Sequence, residues 1–105
     1  MMKILKFNTQ FYNDIINGKK TQTLRKSNKR LVEDELVKAV FNGTDKECTL
    51  KITKSDYKRF GDLTAEDAEL EGCSSLDELK EILYKLYPRI SNLQRLYYYR
   101  FVVVE

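Results

Sequence analysis

Eight consecutive residues, Gly18-Lys19-Lys20-Thr21-Gln22-Thr23-Leu24-Arg25, hold two adjacent lysines, two threonines and an arginine. Lys26, Lys29 and Arg30 follow closely, and no acidic residue lies between Ile15 and Val32. The formal net charge of the chain is only +3, so this is a local cationic surface, of the kind that suits a phosphate, a nucleotide or RNA. The sequence has no histidine, which excludes histidine-based triads, histidine metal sites and the imidazole general base. Cys48 and Cys73 are the only thiols, too few and too far apart for a zinc site. Any catalysis therefore falls to Lys, Asp, Glu, Thr, Ser, Tyr or Cys. No metal and no organic cofactor are implied.

The elements that must position these residues can be read from pattern. A chain of 105 residues, 42% hydrophobic and 11% aromatic, suits one compact domain spanning 1–105. No apolar run approaches the ~20 residues needed to span a membrane. The start, Met1 to Phe7, is too short and too interrupted for a signal peptide, so a cytoplasmic protein is expected. Lys3 to Phe7 reads as a short strand. Asn8 or Thr9 can cap a helix to about Asn17, with Phe11 and Ile15, then Tyr12 and Ile16, making an apolar stripe. Gly18 stops that helix. Thr21 to Lys26 reads as a strand and Ser27 to Asp34 as a polar loop.

Glu35 to Phe41 is β-like, Asn42-Gly43 marks a turn, and Cys48, Leu50 and Ile52 alternate with polar neighbours as a returning hairpin strand. Ser55 to Gly61 carries no clear pattern. Thr64 can cap a short helix, Ala65 to Glu71, ended by Gly72. Ser75 opens another, with Glu78 three residues on as a capping box; Leu76, Leu79, Leu83 and Leu86 form its apolar face, and Pro88 stops it. From Gly61 to Glu81 eight acidic residues face one lysine, so a basic front segment precedes an acidic one, whose run is ordinarily a solvated helix face. Leu96 to Val104 is the most β-prone stretch and is apolar on both faces. Strand, helix, several strands, two short helices and a final strand describe an α+β domain with a mixed, closed or nearly closed sheet.

The stretch from Gly18 to Arg25, followed by Gly61-Asp62-Leu63-Thr64-Ala65-Glu66-Asp67-Ala68-Glu69-Leu70-Glu71-Gly72, resembles the ASCH domain family. The run Ser75 to Lys80, Tyr87-Pro88 and the aromatic last strand extend the likeness over nearly the whole chain. The resemblance implies a PUA-like mixed β-barrel of about five to six strands, with short helices packed at its ends. Within the family the chain looks most similar to the short bacterial amidohydrolases that deacetylate N(4)-acetylcytidine. Their lysine, threonine and glutamate fall on Lys20, Thr23 and Glu71. Many other ASCH members carry a glutamate where Thr23 stands, so Thr23 is what tilts the likeness to the hydrolases. The family's Gly-Asp pair before the next strand is here Glu33-Asp34, and Ser27 to Val32 is unusually basic.

The chemistry so implied needs no histidine. Thr23 would attack the acyl carbonyl once Lys20 takes its proton, and Glu71 would protonate the leaving cytidine amine; attack by an activated water fits equally. Lys19 and Arg25 are the cations near enough to tune Lys20 or to bind substrate, and one of Tyr97 to Tyr99, Tyr97 being the candidate, could stack on a base. Lys20 and Thr23 are three apart and cannot share a face of a regular strand, so Lys20 must lie in the loop before it, or a bulge must intervene. The expectation is an amidohydrolase acting on a modified pyrimidine nucleoside. The alternatives are a non-catalytic RNA-binding ASCH/PUA-like module, supported by the basic run Lys19 to Arg30, and a ribonuclease on the same scaffold. The partner is thus a small modified nucleoside or RNA, with no membrane, and a monomer is expected.

Overall fold

The computed structural model describes residues 2–105. Five strands, β1 (Lys3–Phe7), β2 (Gln22–Arg25), β3 (Leu36–Phe41), β4 (Glu47–Arg59) and β5 (Arg95–Val103), form one sheet in the order β1-β3-β4-β5-β2. β1 runs parallel to β3 and every other pairing is antiparallel, so the sheet is mixed as expected. It curls into a half-barrel rather than closing. The inner face packs Leu5, Phe7, Val37, Phe41, Leu50, Ile52, Tyr99 and Phe101. Against the other face lie helices α2 (Ala65–Leu70) and α3 (Leu76–Leu86); their Ala68, Leu79 and Leu83, with Leu63 from the turn before α2, form one core with Leu24, Leu96 and Tyr98. The strict alternation of β5 explains why both its faces are apolar: Leu96 and Tyr98 serve one core, Tyr99 and Phe101 the other.

Three local outcomes differ from the sequence pattern. Ser55 to Arg59, which carried no clear pattern, continues β4 across a bulge between Ile52 and Lys54 and pairs along β5 down to Arg59–Arg95. A bulge strengthens twist and lets one long strand serve both ends of a curled sheet. The reciprocal capping box forms at Thr64 and Asp67, whereas at α3 the Glu78 carboxylate turns back to Ser74 and only the Ser75 hydroxyl caps the helix. Helix α1 is also shorter than its stripe suggested, Tyr12–Ile16. Phe11 sits in a 3-10 turn before it, Ile15 is buried, and Ile16 faces solvent because a single turn presents too narrow a face to bury both.

Candidate active site

Gly18 takes a left-handed φ of +81°, ends α1 and lets the chain double back. The Lys20 N–H then donates to the Asp14 carbonyl at 2.9 Å, so Lys20 is held in the loop ahead of β2, one of the two placements its spacing to Thr23 allowed. One residue on, the Thr21 N–H donates to the Leu70 carbonyl at 2.7 Å and joins the start of β2 to the end of α2. Glu71 is the C-cap of that helix. Cys73 and Gly72 N–H groups close on the Ala68 and Glu69 carbonyls at 2.8 and 3.0 Å, and Gly72 supplies the left-handed turn at φ +84°. The ideal Cβ position at Gly72 is 3.4 Å from the Lys20 Cβ, so the helix end and the lysine are packed directly together.

These placements bring Lys20, Thr23 and Glu71 to one cleft of about 560 Å³, each below a tenth exposed at 4%, 2% and 8%. Lys20 Nζ donates to Glu71 Oε1 at 2.9 Å and lies 5.0 Å from the centre of the Phe11 ring. Among the described residues Glu71 Oε2 has no hydrogen-bond partner, though it is buried. Burial drives the Glu71 carboxyl above the usual carboxylate range, and the opposing pull of Lys20 and Arg25 does not overcome it. A position at the negative end of a helix acts in the same direction. Arg25 Nη1 donates to the Thr23 hydroxyl oxygen at 2.6 Å, while its Nη2 donates to the Lys6 carbonyl at 2.8 Å and its guanidinium lies 5.0 Å from the centre of the Phe7 ring. Arg25 thus spans the gap between the two edge strands and fixes Thr23 at the same time.

Behind this group lies a second buried polar set. Asp67, fully buried, accepts from Lys58 Nζ at 2.7 Å, from the Thr64 N–H and hydroxyl at 2.9 and 3.1 Å, and from Gln22 Nε2 at 3.2 Å. Gln22 Oε1 in turn accepts from Arg100 Nε at 2.9 Å. Burial opposes the Asp67 charge, but its hydrogen bonds from Lys58 and Thr64 outweigh burial and hold the carboxyl below its ordinary range. Gln22 is next to Thr23, and Asp67 is one helical turn before Glu71, so this cluster sets how β2 meets α2. Sequence reading missed it because a Gln in a strand and an Asp in an acidic helix both look like surface residues.

Arg25 joins the proposed trio, but Lys19 is exposed and does not line the cleft. Tyr97 lines a separate depression with Tyr57, Asn28 and Arg30. The cleft instead takes its aromatic and apolar walls from Phe7, Phe11, Ile82, Leu86 and Tyr87. Phe11 was legible only as a core position, and Tyr87 only as the residue before Pro88. Among the described residues no three side chains of His, Cys, Asp or Glu gather as metal ligands, and no helix is long and apolar enough to cross a membrane.

The family model of the ASCH domain matches residues 3–105. The chain belongs to the ASCH domain family. Its fold is similar to the crystal structure of an ASCH domain from Lactobacillus crispatus JV V101, with a TM-score of 0.80 at 17% identity over 97% of this chain and 79% of that one. A protein from Enterococcus faecalis V583 is similar too, with a TM-score of 0.77 at 16% identity over 99% of this chain and 77% of its own. The small mixed half-barrel with short helices is therefore the fold of this ASCH domain and of its structural relatives.

Proposed function

We propose that this ASCH domain is an amidohydrolase that removes the acyl group from a modified pyrimidine nucleoside of the N(4)-acetylcytidine kind. The observation that carries the reading is the buried Lys20–Glu71 pair at 2.9 Å on the same cleft as the Thr23 hydroxyl. In this reading one proton passes within the buried pair to Glu71, whose carboxyl is already raised by burial, leaving a neutral amine and a neutral carboxylic acid. The amine takes the Thr23 proton as Oγ1 bonds to the acyl carbon. Collapse breaks the carbon–nitrogen bond while Glu71 gives its proton to the departing exocyclic amine. Both groups are then back in their charged forms. For the second half Lys20 again passes its proton to Glu71, and the amine takes a proton from water as the water oxygen bonds to the acyl carbon. The carbon–Oγ1 bond breaks as the lysine gives that proton to Thr23, and Glu71 returns its own proton to the lysine as the acid leaves. Arg25, 2.6 Å from the hydroxyl oxygen, stabilises the alkoxide that forms in both halves. Attack by water at the same pair would yield the same products.

The test is release of cytidine from N(4)-acetylcytidine by the parent chain and by Lys20→Ala, Thr23→Ala and Glu71→Gln. Loss of acid–base participation costs on the order of 10²–10⁴-fold, so all three variants fall at least a hundredfold while remaining folded by circular dichroism. Turnover that survives Lys20→Ala and Glu71→Gln refutes the assignment. A second reading, an RNA-binding module, is favoured by the exposed cations Lys19, Lys26, Lys29 and Arg30 beside the cleft. Absence of turnover together with RNA affinity that falls steeply with salt would establish that reading instead.

A further inference from the structure

The catalytic reading leaves the basic loop after β2 without a task. Its residues form a shallow recess of about 540 Å³ lined by Arg25, Lys26, Ser27, Lys29 and Tyr87. Arg25 and Tyr87 also line the main cleft, so the two spaces adjoin. Arg25 is committed to Thr23 and the Lys6 carbonyl, but Lys26 and Lys29 enter no ion pair among the described residues. Lys26 Nζ sits 5.6 Å from the centre of the Tyr87 ring, which places its charge against the wall between the two spaces. The loop is tied to the core. The hydroxyl of Tyr99, itself 1% exposed, accepts from the Lys29 N–H at 2.8 Å and donates to Asn28 Oδ1 at 3.2 Å; the same Asn28 oxygen accepts from the Arg30 N–H at 2.7 Å. Among the described residues the only carboxylate lining cleft and recess is Glu71, which Lys20 already neutralises. Two unpaired ammonium groups and the Ser27 hydroxyl are thus presented to whatever extends out of the cleft past Tyr87.

We propose that this recess is a phosphate subsite and that the substrate is a phosphorylated nucleoside, its acylated base in the cleft and its phosphate on Lys26, Ser27 and Lys29. The proposal rests on the amidohydrolase reading for the identity of the base, while the subsite itself rests only on the loop. A charge-assisted hydrogen bond contributes about 1.5–3 kcal/mol, and solvent exposure takes the lower end, so a phosphate here is worth roughly tenfold.

The experiment compares N(4)-acetylcytidine with its 5′-monophosphate at low ionic strength. In the parent the ratio of kcat/KM for the phosphorylated to the plain nucleoside is about ten or more, and in Lys26→Gln/Lys29→Gln it falls to near one. A control that removes two lysines elsewhere, Lys38→Gln/Lys51→Gln, keeps the parent ratio and separates the subsite from net charge. A parent ratio near one, or a ratio that the loop variant retains, overturns the proposal. If neither compound is turned over, the amidohydrolase reading has failed and binding decides the subsite alone. Calorimetry with cytidine 5′-monophosphate against cytidine must then give the same preference in the parent and its loss in the loop variant, and equal affinities overturn it. A short RNA with and without a 5′-phosphate distinguishes a terminal phosphate from an internal one. Preference for the 5′-phosphorylated RNA, or equal binding of both forms that the loop variant weakens, each supports a phosphate subsite; RNA binding untouched by the loop variant counts against it.

Discussion

Replacing Asp67 by Asn tests whether the buried polar cluster sets the site. The two side chains have nearly the same shape, so packing is kept and only hydrogen bonding and charge change. Asp67 Oδ2 receives three donors, Lys58 Nζ and the N–H and hydroxyl of Thr64, while Oδ1 receives Gln22 Nε2. An Asn oxygen placed at the Oδ2 position turns its amide toward the Gln22 amide, donor against donor. Flipping Gln22 moves the conflict to Arg100, whose Nε donates to Gln22 Oε1. One buried donor is left unmatched in either arrangement, at a cost of about 1–3 kcal/mol, and the charge-assisted bond from Lys58 weakens by about 1 kcal/mol because that lysine is partly exposed. The expected loss at neutral pH is about 2–4 kcal/mol. With a urea slope of about 1–2 kcal/mol per molar for a chain of this size, the midpoint falls by roughly 1–4 M. The sign with pH follows from the lowered Asp67 carboxyl. The stability it contributes is present above the ordinary aspartate range and is lost as pH falls through its depressed folded value. The gap between parent and variant therefore narrows in acid. A loss below about 0.5 kcal/mol at pH 7, or a gap that does not narrow in acid, would refute the argument that this cluster is a charged clamp.

Glu71 titrates in the opposite sense. Its burial raises the carboxyl, so the stability it contributes is complete below the ordinary glutamate range and declines as pH rises through the raised folded value. Carbon-detected NMR of its carboxyl should give a midpoint above that range, and Lys20→Ala should raise it further, because Lys20 pulls the other way; a midpoint that falls in the variant contradicts the pairing. Gly72→Ala places a methyl 3.4 Å from Lys20 Cβ at a φ of +84°, whereas Gly18→Ala meets comparable strain at φ +81° with nothing within 4 Å. Each should cost about 1–2 kcal/mol in urea unfolding, but only Gly72→Ala should also shift the Lys20 side-chain resonances.

Much of this was legible in the sequence because it depends on local rules. Gly18 and Gly72 mark helix ends whether or not their surroundings are known, and the parity of Lys20 and Thr23 left two ways for them to share a site, a lysine in the loop before the strand or a bulge between them. β5 declared itself through unbroken β-prone residues. What was illegible is non-local. The stretch after Ile52 was ambiguous because a bulge resets its alternation and its partner lies four decades of sequence away in β5. Tyr97 and Lys19 were plausible cleft residues by type, but a strand residue's outlook is fixed by its neighbours in the sheet: pairing Tyr97 with Arg25 and Tyr57 places it over another depression. Nothing local announces that Gln22 and Asp67, a strand and a helix residue, meet in the core.

The open sheet is what makes the site possible. A fully closed barrel would pair the β1 and β2 edges by backbone hydrogen bonds and leave no cleft between them. Here the edges stay apart, and a side chain does the joining: Arg25 reaches from β2 to the Lys6 carbonyl of β1. The same guanidinium holds the Thr23 hydroxyl, so bridging the open edges and fixing Thr23 share one residue. That sharing sets an asymmetry between two substitutions. Arg25→Lys keeps a cation but has a single nitrogen for two acceptors in different places, so it must leave either the Lys6 carbonyl or the Thr23 oxygen without its donor. Thr23→Ser keeps the hydroxyl and leaves Arg25 free to hold both. The conservative change at the arginine therefore disturbs fold and site together, while the conservative change at the threonine disturbs neither bond.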